Sequence, residues 1–137
     1  MANSHYYRAR AKWAKKQLDW AADDMRALLA SDAYVVDLGA HEFLSSVPAP
    51  ARFGIVALTG RAVVATDGRC TAASPIVFTG VPSSGVAKAL ILLKYDTATP
   101  ENSALLVYMD KAVSGLPLTM TGAPVNVTLP AAGLFVL

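Results

Sequence analysis

The chain has little charge. Only 16% of its 137 residues are charged, whereas soluble domains usually carry about 25%. Hydrophobic residues make up 54%, and a monomer of such composition has difficulty keeping its exposed apolar surface small. Two interpretations are open: apolar surface is buried between subunits, or the chain is an ordinary protein in which many of the apolar residues are small.

Cysteine and long apolar runs are also scarce. Cys70 is the single cysteine, which excludes an internal disulfide and fits synthesis in a reducing cytoplasm. The longest strongly apolar run, residues 86–95, contains Lys88 and Lys94 and is far shorter than the ~20 residues of a membrane-spanning helix. Residues 1–16 lack the apolar core of a secretion signal, so we do not expect export by that route.

Residues with typical catalytic or metal-binding chemistry are few and scattered. His5, His41 and Cys70 lack the spacing of metal ligands. His41 lies near Ser45, but the chain has no nucleophile-elbow sequence of the kind that acyl-transfer enzymes use. Residues 80–85 resemble a hairpin turn and lack the lysine of a phosphate-binding loop. We therefore expect no enzyme, no cofactor and no metal site.

The sequence does contain one strand around which the rest can be arranged. Residues 86–95 lie between two turn sequences, and ten residues between such breakers fit a strand better than a helix. Alternation places Ala89 and Ile91 on one face, and Leu90 and Leu92 on the other. Both faces are apolar, so each must be covered by the same domain or by a second subunit. Leu90 and Leu92 are the predicted self-association residues.

Short apolar segments recur every 8–12 residues or so in the second half of the chain, which is typical of an all-β fold. Residues 103–110 are predicted to pair with residues 86–95, and Asp67-Gly68 is a hairpin signal. Further strands are predicted at residues 52–58, 61–66, 69–73, 75–79, 116–121, 125–129 and 134–137. Residues 23–30 fit either a continued helix or a strand. The pattern predicts a mainly β fold, an antiparallel β-sandwich or jelly roll.

Two helices are predicted beside this β body. The first is an N-terminal basic amphipathic helix over residues 4–18, with Ser4 as its cap. The second is a short additional helix over residues 40–47, which the following prolines end. At about 100° per residue, one face of the first helix is basic and another is aromatic. The basic face carries Arg8, Lys12, Lys15 and Lys16, and the other face carries Tyr6, Trp13, Gln17 and Trp20.

Charge is concentrated at the N-terminal end. Residues 1–18 contain five basic residues and no acidic one, whereas the remainder contains seven basic and ten acidic residues. We therefore divide the chain into a basic N-terminal helix or arm, residues 1–22, and a β-sandwich body, residues 23–137. The helix is a solvated helix packed on the body by its aromatics, an arm that docks on an acidic protein, or a segment that binds nucleic acid or membrane.

Several segments, taken in order, resemble small structural proteins of tailed-bacteriophage virions, and the likeness spans nearly the whole chain. The segments are MANSHYYRARAKWAKKQLDW, DDMRALLASDAY, VDLGAHEFLSSVP, ALILLKYDTATPENSALLVYMD and GLPLTMTGAPVNVTLPAAGLFVL. Some proteins of this group look like capsid cement or decoration proteins with a β-sandwich or jelly-roll body. The resemblance also favours a strand over residues 23–30.

The resemblance implies a cement protein that binds the outer surface of the icosahedral head and stabilises contacts between capsomers. Its partners would be the major capsid protein, contacted through Arg8, Lys12, Lys15 and Lys16, and further copies of itself in a homodimer or homotrimer. No nucleic acid and no membrane is expected. The protein would be made in the bacterial cytoplasm and reside on the capsid exterior of the virion.

Two alternatives remain at the level of sequence. The first is a structural subunit of the phage tail or baseplate, which would use the same surfaces. The second, of another class, is a small carbohydrate-binding or hydrolytic β domain. That function needs a cleft with clustered aromatics and paired carboxylates, and the sequence shows no such cluster.

Overall fold

A computed structural model describes residues 3–64, 66, 68–110, 115–129 and 135–136. The strands, all in antiparallel pairings, are β1 Asn3–His5, β2 Met25–Ser31, β3 Arg52–Ala57, β4 Ala62–Val64, β5 Arg69–Thr71, β6 Ile76–Phe78, β7 Val86–Lys94, β8 Ala104–Met109, β9 Leu118–Thr119, β10 Val125–Val127 and β11 Phe135–Val136. The helical elements are the α-helix α1 Tyr7–Ala14 and the 3-10 turns Leu44–Ser46, Ala49–Ala51 and Pro100–Asn102. The prediction of a mainly β fold is confirmed.

The main sheet has the strand order β1-β8-β7-β2-β3, and β9 pairs with the first two residues of β7. Two smaller sheets have the orders β10-β6 and β11-β5-β4. The predicted pairing of β7 with β8 is confirmed. So is the strand expected within residues 23–30, because β2 lies between β3 and β7 in the sheet.

Strand β7 lies at the centre of the main sheet and is apolar on both faces, as predicted. Leu29 of β2 is opposite Leu90, and Leu28 is opposite Ile91, so these two rows point to opposite faces. All four side chains are completely buried within one copy of the chain. The sheet is therefore covered on both faces by the chain itself.

On the first of these two faces, β6 packs against β3 at the edge of the main sheet. Gly54 of β3 is opposite Leu29, so it belongs to the face that carries Leu90. The ring of Phe78 in β6 lies directly against this glycine, since a Cβ there would be 3.3 Å from its Cδ1 atom. Phe78 is 1% exposed. A glycine at this point of β3 therefore lets the Phe78 ring lie directly against the strand.

The predicted self-association role of Leu90 and Leu92 is corrected by this packing. Both residues are 0% exposed in the single chain, with β2 and β8 on either side of them. A second copy cannot contact them without opening the sheet. The high apolar content suggested burial between subunits. At Leu90 and Leu92, however, the apolar side chains are buried in the core of the single chain.

The N-terminal segment differs most from its prediction. Ser4 is not a helix cap, because it lies in β1 opposite Tyr108 and is buried. The amide of Tyr6 continues this pairing by donating to the carbonyl of Leu106 at 3.0 Å. The helix therefore begins at Tyr7 and ends at Ala14, and Lys16 adopts a left-handed conformation with a φ of 58°. The proposed boundary between residues 1–22 and the body is consequently not a structural one.

The second predicted helix, residues 40–47, is reduced to the 3-10 turn Leu44–Ser46. Two local interactions explain the difference. The Asp37 carboxylate accepts hydrogen bonds from the amides of Gly39 and Ala40 at 3.1 and 3.0 Å, which holds a turn there. Phe43 then forms an extended bridge to Ala104 at the start of β8.

Leu92→Ala should lower the free energy of unfolding by about 2–5 kcal/mol, because it leaves a cavity in the packed centre of the sheet. Urea denaturation followed by circular dichroism measures this change. Val77→Ala is a control, since Val77 lies in β6 and is 42% exposed, and we expect a loss of about 1 kcal/mol or less. Equal losses at the two positions would contradict the burial of Leu92 described above.

Candidate functional site

Two buried aromatic side chains bracket the basic N-terminal segment. Tyr6, directly before α1, is 0% exposed, and its hydroxyl lies 2.9 Å from that of Tyr34. Trp20 is 2% exposed, and its Nε1 donates to the carbonyl of Thr71 at 2.9 Å. A buried Tyr or Trp contributes a large apolar area and also requires a partner for its polar atom. The residues between these two positions are therefore fixed to the body at both ends.

Arg8 and Lys12 share a carboxylate within the chain. Lys12 Nζ donates to Glu42 Oε1 at 2.7 Å, and Arg8 Nη1 lies 3.8 Å from Glu42 Oε2. The Lys12 ammonium also lies 5.0 Å from the centre of the Phe43 ring. The side chain of Lys12 is 20% exposed, compared with 62% for Arg8. Lys12 is thus engaged within the chain by Glu42 and Phe43, whereas Arg8 still faces solvent.

Lys15 and Lys16 lie beyond the end of α1. Both are exposed, and in the described part of the chain neither has an ion-pair partner. The backbone of Lys16 adopts a left-handed conformation. The helical spacing that placed Lys12, Lys15 and Lys16 on one face therefore does not extend to Lys16. The predicted basic face is therefore divided at the helix end.

Arg10 was not part of the predicted basic face, but it belongs to the exposed charge of this segment. Its guanidinium lies 4.9 Å from the centre of the Tyr7 ring, and Tyr7 itself is 54% exposed. We use the name basic cluster for the exposed cations Arg8, Arg10, Lys15 and Lys16. The sequence feature that could have added Arg10 to the predicted basic surface is the absence of acidic residues before Asp19.

A chain of hydrogen bonds joins the start of α1 to residues 34–41. Nδ1 of His41 lies 2.7 Å from the Tyr34 hydroxyl and accepts the Asp37 amide at 3.3 Å. With this nitrogen as acceptor, Tyr34 donates to His41 and Tyr6 donates to Tyr34. Burial raises the pKa of Tyr34, and burial raises the pKa of Tyr6 still further. These hydrogen bonds give both tyrosine hydroxyls a partner, and they hold the 34–41 segment beside α1.

A cleft of about 430 Å³ opens beside the C-terminal end of α1. It is lined by Lys12, Gln17, Leu18, Phe43, Lys94, Tyr95, Asp96, Thr97, Asn102 and Ala104. The lining contains two aromatic side chains but one carboxylate, and Asp96 Oδ1 accepts the amides of Ala98 and Thr99 at 3.0 Å. Among the residues that the structure describes, the cleft lining therefore has a single carboxylate, whereas glycoside hydrolysis uses a pair.

Tyr6→Phe should make the stability less sensitive to alkaline pH. Tyr6 stays neutral in the folded protein because burial raises its pKa, whereas in the unfolded chain it ionises near pH 10. The contribution of Tyr6 to the free energy of unfolding should therefore be constant below about pH 9 and fall as the pH rises above about 10. Removing this hydroxyl should reduce the fall, and at neutral pH the lost hydrogen bond should cost about 0.5–1.5 kcal/mol.

Denaturant unfolding at several pH values between about 7 and 11 provides the measurement. Tyr7→Phe is the matched control, because the Tyr7 side chain is exposed, and it should leave both the neutral-pH stability and the alkaline slope unchanged. If Tyr6→Phe and Tyr7→Phe have the same alkaline slope, the buried hydroxyl does not dominate the pH dependence and the prediction is wrong.

No protein-family model, curated protein or solved structure matches this chain. Among the residues that the structure describes, no three His, Cys, Asp or Glu side chains are grouped so as to hold a metal ion. No helix in the described ranges is long and apolar enough to cross a membrane. Functional proposals for this chain therefore rest on its own geometry and on the sequence resemblance.

Proposed function

We propose that the protein is a tailed-bacteriophage capsid cement, or decoration, protein that binds the outer surface of the icosahedral head and stabilises contacts between capsomers of the major capsid protein. The observation that carries this proposal is the exposed basic cluster on a segment anchored by Tyr6 and Trp20. The sequence resemblance supplies the setting. The finer description of the body as a β-sandwich belongs to the same proposal and is supported by the packing of Phe78 against Gly54.

The anchoring matters because binding costs conformational entropy. Long cationic side chains on a flexible arm would have to be ordered together with their backbone when they meet an acidic surface. Here the backbone of the segment is already fixed by β1 and by the two buried aromatics. Each exposed ion pair contributes only about 0.2–1 kcal/mol and weakens with salt. Several such contacts for each copy, repeated over a shell, stabilise the assembled lattice by mass action.

Self-association in this proposal uses a surface other than Leu90 and Leu92. Strand β3 ends the main sheet, and its residues from Arg52 to Val56 are half-buried. An edge strand presents backbone N–H and C=O groups that can pair with another chain. A two-fold dimer would place this edge against its own copy, because an antiparallel edge is self-complementary. Arg52 is already bound by Glu101 at 2.7 and 3.1 Å, so it brings no unpaired charge to that edge.

Charge reversal at Lys15 and Lys16 should reduce attachment to empty capsid shells. The double change to glutamate removes two attractive contacts and adds repulsion, so we expect affinity to fall by about fivefold or more. Co-sedimentation of purified protein with shells at low and moderate salt measures the effect. Attachment of the wild type should itself weaken as salt increases.

The matched comparison uses single changes at two exposed lysines. Lys15 is a member of the basic cluster, whereas Lys88 is an exposed lysine of β7 that is not a member. We expect only Lys15→Glu to weaken attachment while both proteins stay folded by circular dichroism. Attachment of the double variant equal to that of the wild type, with no dependence on salt, would contradict a role for the basic cluster in shell binding.

A further inference from the structure

Two ammonium groups from distant parts of the chain line the same cleft. Lys12 reaches it from α1 and Lys94 from the end of β7. Lys12 Nζ donates to Glu42 Oε1 at 2.7 Å. Lys94 Nζ lies 3.4 Å from the carbonyl of Gln17 and 3.5 Å from Asp23 Oδ2. Both side chains belong to the lining of this cleft.

Each ammonium keeps hydrogen-bonding capacity for a further acceptor. A lysine ammonium has three N–H donors. In the described part of the chain, Lys12 uses one of these donors on Glu42, and Lys94 uses two at most, on Gln17 and Asp23. Both ammonium groups therefore keep N–H donors in addition to those used on their present partners. A carboxylate, with two oxygens and a negative charge, satisfies two such donors at once.

The acidic groups around the cleft do not oppose a carboxylate strongly, because each is already engaged. Glu42 binds Lys12 and lies near Arg8. Asp23 Oδ2 accepts the Asp19 amide at 2.8 Å and lies near Lys94. Asp96 accepts two backbone amides. Lys15 and Lys16 are exposed and directly precede Gln17 and Leu18, which line the cleft.

The walls of the cleft suit a side chain with an aliphatic stem. Phe43 and Tyr95 both line it and are only partly buried. Cations hold both rings in place, since Lys12 lies 5.0 Å from the centre of Phe43 and the Arg26 guanidinium lies 3.8 Å from the centre of Tyr95. A volume of about 430 Å³ lies within the range of small-ligand sites. It accommodates a side chain together with part of its backbone.

From this geometry we propose that the cleft binds an acidic side chain, glutamate or aspartate, carried by a partner protein and held between Lys12 and Lys94. The inference deepens the proposed function and rests on it for one point, that the partner is the acidic outer surface of the capsid shell. The basic cluster attracts that surface, and the cleft selects one carboxylate on it. Lys12, a predicted shell-contact residue, thus acts inside a recognition cleft and not on an open helix face.

The test is an NMR titration of the ¹⁵N-labelled full chain with the tripeptide acetyl-Gly-Glu-Gly-amide. Acetyl-Gly-Gln-Gly-amide is the control peptide, because it differs only in the charge of the side chain. Inorganic phosphate is the third probe, an anion without an aliphatic stem. We expect the glutamate peptide to shift the amides of Phe43, Tyr95 and Thr97, and to bind at least about fivefold more tightly than either control.

Variants assign the binding to the cleft. Lys94→Gln should reduce the affinity for the glutamate peptide to that for the glutamine peptide, whereas Lys88→Gln, an exposed lysine of the same strand, should leave it unchanged. Thermal unfolding checks that both variants are folded, and the comparison of peptides on the wild type needs no variant. Equal binding of the two peptides, equal or tighter binding of phosphate, shifts confined to residues outside the cleft, or no shift up to about 20 mM peptide would each overturn the inference.

The titration contains no capsid, so its failure would overturn the cleft proposal alone. The proposed function is tested separately by shell attachment of the Lys15 and Lys16 variants, because these residues do not line the cleft. Loss of attachment together with no peptide binding would mean that the basic cluster contacts the shell without a carboxylate-selective cleft. Peptide binding without any shell attachment would mean that the cleft recognises an acidic partner other than the shell, and would overturn this partner assignment.

Discussion

Burial of β7 on both faces is the constraint on which the rest of the structure depends. A strand that is apolar on both sides is stable only when two layers cover it, and each fully buried aliphatic side chain contributes about 1.5–3 kcal/mol. The chain places β2 and β8 on either side of β7, and Leu90, Ile91, Leu92 and Leu93 are completely buried within one copy. On the face that carries Ile91, the neighbouring residue in β8 is Tyr108. The centre of the Tyr108 ring lies 6.3 Å from the centre of the Tyr34 ring. The packing of Tyr34 against Tyr108 also positions Tyr6, which is hydrogen-bonded to Tyr34 and directly precedes α1.

The position of the basic cluster follows from the same requirement. Tyr6 and Trp20 are both buried in the core, and the segment between them carries the exposed basic cluster at the surface. The segment therefore acts as a fixed surface and not as an arm. Its cations are not equivalent, because Glu42 engages Lys12 closely and Arg8 only at 3.8 Å, while Lys15 and Lys16 stay exposed beyond the helix end.

Features set by local sequence were predictable, and those set by distant contacts were not. The position of β7 and its pairing with β8 follow from turn residues and apolar runs in the sequence. The start of α1 was predicted too early in the chain, because Ser4 pairs with Tyr108 in the sheet. Local sequence patterns do not indicate a contact between residues so far apart. Leu90 and Leu92 were predicted to be interface residues because the parts of the chain that bury them are also distant in sequence. The cleft was not predictable, since Lys12, Phe43, Lys94 and Asn102 meet there from four separate segments.

The pairing of β1 with β8 also affects the order in which the chain folds. It closes a loop of about 100 residues, from Ser4 to Tyr108, and the entropy of such a closure must be overcome before its contacts stabilise the chain. The hairpin of β7 and β8 joins residues much closer in sequence, so we expect it to form earlier. The N-terminal residues would then dock last. A chain folding in this order acquires its ordered cationic surface only once the sheet is complete, so incompletely folded copies would be excluded from any assembly that requires that surface.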